Sequence, residues 1–326
     1  MSDRRIRWGG GFLLLIVALA LLAPGVGLRD PAAQPDTLVL RDLAPLSRPH
    51  ALRLSDGTLR YAHEIRNVPD GSVEYRRGRK WTRIAPEELA GPTPAEWHRR
   101  PLYALGTDGF GRDLLSRLTY GARVSLLVGS IAALMALGIG TLVGTASGLA
   151  GGWVDSALMR LTDLVLAVPR LFLTLMLVAL FHASLWTTIV VLGTTTWMTA
   201  ARLVRGEILS LRERDFVHAA RANGARPLRL ALRHLLPAAA APLLVEGTLR
   251  IGDTILLEAA LSFLGLGVQP PMPSWGNLVA DGRTSLPDAW WVSTLPGLAI
   301  ALTVISLNLL GDGARDRLGR NRVAQS

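Results

Sequence analysis

The chain has 326 residues, half of them apolar, with 35 basic and 25 acidic side chains, no cysteine and a mean hydropathy of +0.33. The missing cysteines exclude disulfides and thiolate metal sites. Charge-free runs of bilayer-spanning length alternate with arginine-rich stretches, which argues against a soluble globular enzyme and for an all-α polytopic membrane protein. The basic set is lopsided: Lys80 is the only lysine and the other 34 are arginines. A pI near 11 raises nucleic-acid binding, yet membrane topology also demands arginines, on one side only.

Trp8 to Leu28 is 21 residues without a charge, preceded by Arg4, Arg5 and Arg7. A basic start before an apolar run also suits a signal peptide, but the run is long and Pro24-Gly25-Val26-Gly27 is a poor cleavage site. An uncleaved first span, 1–28 with its tail, is therefore expected. Residues 29–104 form an insertion with 13 basic side chains between Arg29 and Tyr103. Leu52-Arg53-Leu54 and Leu59-Arg60-Tyr61 flank Asp56-Gly57, and Val73-Glu74-Tyr75 and Trp81-Thr82-Arg83-Ile84 flank Gly78. Alternation around such turns is a hairpin signal. Two readings stand: a small external β module docking a partner, or a decorated loop.

Val124 to Val154 is the second apolar run, with Gly129, Gly138, Gly140, Gly144 and Gly148 spaced for close helix approach. Asp155 to Leu209 is about 55 residues, enough for two tilted spans at ~20 residues each, joined near Phe181-His182-Ala183-Ser184. Pro169 predicts a kink there. Arg160, Asp163 and Arg170 open the third span; Arg160 and Asp163, three apart, are placed to pair or to snorkel. Ala238 to Leu264 is a fifth span and Trp290 to Leu310 a sixth. Between them, Leu264 to Ala289 holds Gly265, Gly267, Pro270, Pro271, Pro273, Gly276 and Pro287, which excludes a plain helix. It reads as a gate or partner contact, or as an ordered loop.

Six spans place three arginine-rich regions on one side: the N-terminus, the stretch after span four, and the C-terminus with Arg315, Arg317, Arg320 and Arg322. The short-loop bias makes that side the cytoplasm, with both termini there. Long translocated segments escape the bias, so the insertion fits outside.

Leu211 to Pro237 is then cytoplasmic. Asp215 is placed to N-cap a helix running to Asn223, Gly224 to stop it in the αL conformation, and Pro227 to open a second helix. Leu228, Leu232, Leu235 and Leu236 mark an apolar stripe, with Arg229 and Arg233 elsewhere and Pro237 as the end. Small Ala219-Ala220 allows a close fit into a protein groove. The competing readings are an amphipathic hairpin on anionic lipid and a DNA-reading helix-turn-helix.

Span five carries Glu246, Arg250, Asp253 and Glu258. Charges in lipid face a bundle or a wet cavity. They read equally as a polar translocation path or as an intrahelical ion network. The six histidines lack metal-ligand spacing, no catalytic constellation is present, and no cofactor is expected.

The cytoplasmic hairpin resembles the coupling (EAA) loop of ABC importer permeases: Glu-Ala-Ala, three residues, Gly, nine residues, Ile-x-Leu-Pro. Ala219-Ala220, Gly224 and Leu236-Pro237 fall at that spacing, with His218 in place of Glu and His234 in place of Ile. Leu105 to Leu318 resembles the "C" permease subunit of dipeptide, oligopeptide and nickel importers. The motifs are Leu105-Gly-Thr-Asp-Gly-Phe-Gly-Arg-Asp113, Tyr120-Gly-Ala-Arg123, Gly151-Gly-Trp-Val-Asp155 and Glu258-Ala-Ala-Leu-Ser-Phe-Leu-Gly-Leu-Gly267. Gln269-Pro-Pro271, Ser274-Trp-Gly276, Trp290-Trp291, Pro296-Gly297 and Asn308-Leu-Leu-Gly-Asp-Gly313 follow in order.

The resemblance implies a type I ABC importer permease fold, with the core over 105–318 and a tail over 319–326. It also implies a homologous permease partner, two cytoplasmic ATP-binding subunits and an external substrate-binding protein, in the inner membrane and without nucleic acid. No Gly-x-x-x-x-Gly-Lys-Ser/Thr occurs, so ATP hydrolysis is expected on separate subunits. Asp215, Phe216, His218, Ala219, Ala220, Gly224, Leu236 and Pro237 are the expected ATPase-coupling residues. The alternative is a proton-coupled secondary transporter using the span-five charges, which the absence of an evident inverted repeat disfavours.

Overall fold

The structure, a computed structural model, describes residues 2–323 apart from 24, 26 and 27, with side chains described for 6–23, 25 and 28–317. The sequence features at Pro24, Val26 and Gly27, the side chains of Arg4, Arg5, Arg320 and Arg322, and the last three residues of the 319–326 tail lie outside the described residues.

Helix α1 runs Ser2–Leu22. Strands β1 (His50–Arg53), β2 (Leu59–Ala62), β3 (Glu64–Asn67), β4 (Val73–Arg77) and β5 (Lys80–Ile84) follow. A single turn, α2 (Pro94–Trp97), leads into β6 (His98–Arg99). The helical remainder is α3 (Leu114–Ala150), α4 (Gly152–Ala167), α5 (Arg170–Phe181), α6 (Leu185–Thr195), α7 (Met198–Arg212), α8 (Asp215–Ala222), α9 (Pro227–Leu230), α10 (Leu236–Phe263), α11 (Trp275–Asp281) and α12 (Trp291–Val323). The chain divides into two compact units, one drawn from 1–18, 124–269 and 299–326, the other from 19–123 and 270–298.

In the first unit, glycines let helices touch through their backbones. A Cβ on Gly140 would stand 2.6 Å from Cβ of Ala200, and one on Gly148 would stand 2.8 Å from Cγ2 of Ile208. Gly144 lies between them, where a Cβ would meet Cβ of Val204 at 2.8 Å. The i, i+4 spacing thus forms a seam along which α3 receives α7. A Cβ on Gly129 would come within 2.6 Å of Ile255 on α10. Val128, Ala132, Val178, Ile189, Leu192 and Leu261 make a core among α3, α5, α6 and α10.

Among the described residues, three helices are long and apolar enough to cross a bilayer: Leu114–Ala150, the continuous Pro227–Phe263, and Trp291–Arg317. The pair α4 and α5 is a fourth candidate, bent by 86°. Ile6–Leu22 is a shorter apolar helix. Against the six spans expected from hydropathy, the described residues thus offer three long helices, one bent pair and one shorter apolar helix. The kink expected at Pro169 is a full break: Val168 is forced to an extended ψ of 127° ahead of the proline, and α5 restarts at Arg170. His182, with φ of 64°, ends α5, and Thr196 ends α6. The 155–209 stretch becomes four short helices.

In the second unit, β2-β1-β6 and β3-β4-β5 form two three-stranded antiparallel sheets. Strands β1 and β2 pair from His50↔Ala62 to Arg53↔Leu59, closed by Asp56, whose carboxylate accepts the Thr58 N–H at 2.8 Å, and by Gly57 at φ 85°. Alternation buries Val73 and Tyr75 in β4 against Leu52, Ile84 and Trp97. A second cluster, Val39, Leu40, Ala51, Tyr61 and Tyr103, lies under the other face of β1 and β2. The Leu264–Ala289 stretch, expected not to be a plain helix, contains the short α11, opened by a Ser274–Asn277 capping box.

Candidate functional site

The 211–237 segment folds as a helical hairpin on α7 and α10. Arg214, not Asp215, occupies the N-cap of α8, with extended φ and ψ of −87° and 146°. Asp215 is the first helical residue, where its charge still opposes the positive helix end. Gly224 takes φ of 79°. Its N–H reaches the Arg221 carbonyl at 2.9 Å and the Ala225 N–H reaches the Ala220 carbonyl at 3.1 Å, the two bonds of a Schellman stop.

Pro227 opens α9, as its fixed φ allows. From there the helix does not end at Pro237. It passes through a π turn, Ala231–Leu235, with the Leu236 N–H bonded to the Ala231 carbonyl, and continues as α10. Pro237 has no N–H to give, and its ring would crowd the carbonyl of Arg233; the widened turn relieves that conflict. The extra residue also rotates the faces. Leu228 and Leu232 are exposed, whereas Leu230, Ala231 and Leu235 are buried with Val204, Ile208 and Val217. Leu228, Leu232, Leu235 and Leu236 therefore do not form the one apolar stripe expected of them.

The hairpin's outer surface presents Phe216, 42% exposed, with exposed His218 and Ala219; Ala220 is half-buried. Arg214, Arg221, Arg226, Arg229 and Arg233 are exposed around it. Arg212 at its base donates to the Gly148 carbonyl at 3.0 Å. The result is a knob with an apolar underside, an exposed aromatic and a basic surround.

On α10, Glu246, Arg250 and Asp253 form one ladder. Arg250 is buried and donates to Glu246 four residues earlier, and its Nη1 lies 3.8 Å from Oδ2 of Asp253. Asp253 in turn stands 4.0 Å from Nη1 of Arg170 on α5. Nε and Nη1 of Arg250 are buried without a hydrogen-bond partner. Glu258 is not brought to this ladder. It is fully buried and accepts the hydroxyls of Ser125 at 3.2 Å and Ser262 at 2.6 Å. Of the two readings for Arg160 and Asp163, to pair or to snorkel, the pairing is not formed: Asp163 bonds Arg202 of α7.

Other charge pairs escaped the sequence reading because their partners are remote in the chain. In the second unit, Arg112 and Arg117 converge on Oδ2 of Asp281 at 2.9 and 3.0 Å, and Arg112 also donates to Asp108 at 2.7 Å. Burial pushes the Asp281 carboxyl up, against the pull of the two guanidinium groups. His50 and His98 meet in plane, with Nδ1 and Nε2 2.9 Å apart. Burial lowers the pKa of both, helped for each by the nearby Arg100 charge. No group of three or more histidine or acidic side chains able to hold a metal occurs among the described residues.

The sequence pattern of the family described as binding-protein-dependent transport system inner membrane component matches residues 136–323. The dipeptide transport system permease protein DppC of Alkalihalophilus pseudofirmus is 41% identical over 230 residues, covering 71% of this chain and 73% of that protein. The di/tripeptide transport system permease protein DppC of Pseudomonas aeruginosa is 43% identical over 228 residues, covering 69% and 75%. The glutathione transport system permease protein GsiD of Pectobacterium atrosepticum is 40% identical over 228 residues, covering 70% and 73%. A chain of the methionine ABC transporter MetNI, solved in inward-facing conformations, shares the fold at a TM-score of 0.53 and 18% identity, covering 61% of this chain and 95% of that one. Apolar helices, a Schellman-stopped hairpin and this extent of similarity agree: the chain belongs to the family of binding-protein-dependent transport system inner membrane components, the permeases of ABC importers.

Proposed function

We propose that the chain is one of two homologous permease subunits of an inner-membrane importer for short peptides, driven by two cytoplasmic ATP-binding subunits and fed by an external binding protein. Three similar proteins are named for peptide or glutathione transport, which supports the substrate class. The chain crosses the membrane six times, counting α1, the bent α4–α5 pair and α6–α7 with the three long helices, and both termini face the cytoplasm. Residues 29–104 and the α11 segment lie outside, and Asp155 to Arg170 begins the third crossing.

The observation that carries the coupling reading is the continuity of hairpin and span. Asp215, Phe216, His218, Ala219, Ala220 and Gly224 form a stopped helix whose partner runs from Pro227 through Leu236 and Pro237 to Phe263 without a break. A push on the knob is transmitted along α10 as a rigid body, so ATPase closure rocks the bundle between inward- and outward-facing states. The polar face of α10 with Glu246, Arg250 and Asp253 lines the path, and the permease itself hydrolyses nothing.

Crosslinking tests the docking. Ala219→Cys in a cysteine-free chain is expected to crosslink to a cysteine in the ATPase groove, with a yield that changes between nucleotide-free and ATP-bound states. No crosslink in any nucleotide state removes the docking role. Uptake into proteoliposomes tests the energy source: a pH gradient that drives peptide uptake without the ATPases would replace this reading by proton coupling.

A further inference from the structure

A cavity of about 460 Å³ opens at the bend between α4 and α5. Its wall includes Val165, Leu173, Met198 and Leu257, and among the described residues Arg170 is the charged one that lines it. The volume falls within the ~300–1,000 Å³ typical of small-molecule sites, and its lining is mixed, with Arg170 and Thr195 set among aliphatic side chains. Leu257 stands one turn beyond Asp253 on α10, so the cavity and the Glu246–Arg250–Asp253 ladder lie along one helix face.

We propose that this cavity is a passage site in the translocation path for a short zwitterionic peptide, with Arg170 receiving the carboxylate and Asp253 the ammonium group. The proposal rests on the reading of the chain as a peptide permease.

The geometry of the charges supports it. Arg170 and Asp253 are 4.0 Å apart, near enough to offset each other's charge and too far for a hydrogen bond, so both keep hydrogen-bonding capacity. Their side chains are 34% and 55% exposed, unlike the 4% of Arg250 behind them. Arg170 is the first residue of α5, so the positive end of the helix dipole adds to its charge. A guanidinium presents a planar fork that matches a carboxylate.

Arg250 faces Asp253 from the far side, Nη1 to Oδ2 at 3.8 Å, and is itself paired with Glu246. Each sign alternates along the ladder, so a zwitterion can exchange for an internal ion pair without exposing a net charge to lipid. Glu258 stands apart from the ladder, buried and accepting the hydroxyls of Ser125 and Ser262.

The test uses the assembled importer in proteoliposomes with radiolabelled alanyl-alanine, and reads peptide imported per ATP hydrolysed. Arg170→Gln is expected to lower that ratio about tenfold, and Arg170→Lys to lower it less, since charge without the fork serves partly. Leu257→Trp, which fills the cavity without touching a charge, is expected to lower the ratio comparably, and it guards against misfolding of the charge variants. A ratio unchanged in both Arg170→Gln and Leu257→Trp overturns the site; so does a parallel fall of uptake and ATP hydrolysis, the signature of a packing role. A wild-type assembly that hydrolyses ATP yet imports neither alanyl-alanine nor any of a di- and tripeptide panel overturns the peptide reading, and the site with it.

Discussion

Arg205 on α7 holds Asp155 on α4 through two parallel hydrogen bonds, Nε to Oδ1 at 2.6 Å and Nη2 to Oδ2 at 2.7 Å. Ser147 on α3 gives its hydroxyl to the same Oδ1. Three helices therefore converge on one carboxylate, close to where the Gly140–Gly148 seam joins α3 to α7.

Asp155→Asn keeps the shape but loses the charge and one matched acceptor. A charge-assisted, bidentate contact of this kind costs about 1–3 kcal/mol when broken. Arg205→Lys is expected to cost a similar amount, because an ammonium cannot reproduce the fork. A double-mutant cycle on thermal unfolding of the detergent-solubilised protein should return a coupling energy of ~0.5–3 kcal/mol, and additive effects would remove the pair from the account.

The glycine seam makes a second, sharper contrast. Gly140→Val places atoms where Cβ of Ala200 and the Trp197 carbonyl already stand at 2.6 and 2.7 Å, so α3 and α7 must separate. Overpacking of this kind costs about 1–3 kcal/mol and occasionally more. Gly138→Ala, two residues away, meets nothing within 4 Å and removes a flexible residue from a helix. It is expected to leave stability unchanged or raise it by ~0.5–1 kcal/mol. Melting temperatures in detergent should fall for the first and hold or rise for the second; equal effects would contradict the seam.

Local chemistry was the legible part of the sequence. Gly224 reads as a helix stop because only a left-handed residue closes the Schellman bonds, and Pro169 reads as a kink, which the structure deepens to a break because a proline denies its predecessor the helical region. Hydropathy marks three of the long helices plainly. The rest depends on register or on distance. The Leu228–Leu236 stripe assumes 100° per residue, and the π turn at Ala231–Leu235 adds one residue that no periodicity reveals. Asp155 and Arg205 are 50 residues apart, and Arg112 and Asp281 are 169 apart. Nothing near either partner specifies the other. Asp163 shows the hazard of local pairing: Arg160 lies three residues away, but Arg202, on the helix packed alongside, takes the carboxylate.

The His50–His98 contact should make the β1–β6 pairing sensitive to acid. One ring must donate and the other accept, so the pair tolerates at most one proton beyond neutrality, and the Arg100 charge opposes even that. Both folded-state pKa values lie below 6.5. The folded state therefore binds fewer protons than the unfolded one. Its stability is complete above pH 6.5 and declines as pH falls from there through the folded values. Amide exchange in β1 and β6 of the full-length protein is expected to accelerate between pH 7 and 5, after correction for intrinsic rates. His98→Gln, which keeps a hydrogen-bonding nitrogen without a titrating ring, should flatten the profile; an unaltered profile would place the acid sensitivity elsewhere.

Gly224 and Phe216 separate the hairpin's shape from its surface. A Cβ on Gly224 would be free of steric neighbours, since nothing lies within 4 Å, so any effect of substitution there comes from its φ of 79° alone. Holding an L-residue in that region costs roughly 1–2 kcal/mol, less for asparagine, whose short polar side chain tolerates it. The order of α8 stability should run Gly, Asn, Ala, Val. Val217 anchors the helix in the core under the knob, so the damage is expected as fraying from the Ala222 end rather than loss of the whole segment. Amide exchange resolves this: protection of the Ala225 and Gly224 N–H groups should fall first, with α10 unaffected. Uptake by the assembled importer should fall in the same order if the stopped helix is what the ATPase engages, whereas Phe216→Ala should reduce uptake with exchange in α8 intact. Valine at 224 with wild-type exchange and wild-type uptake would mean that the left-handed stop is dispensable.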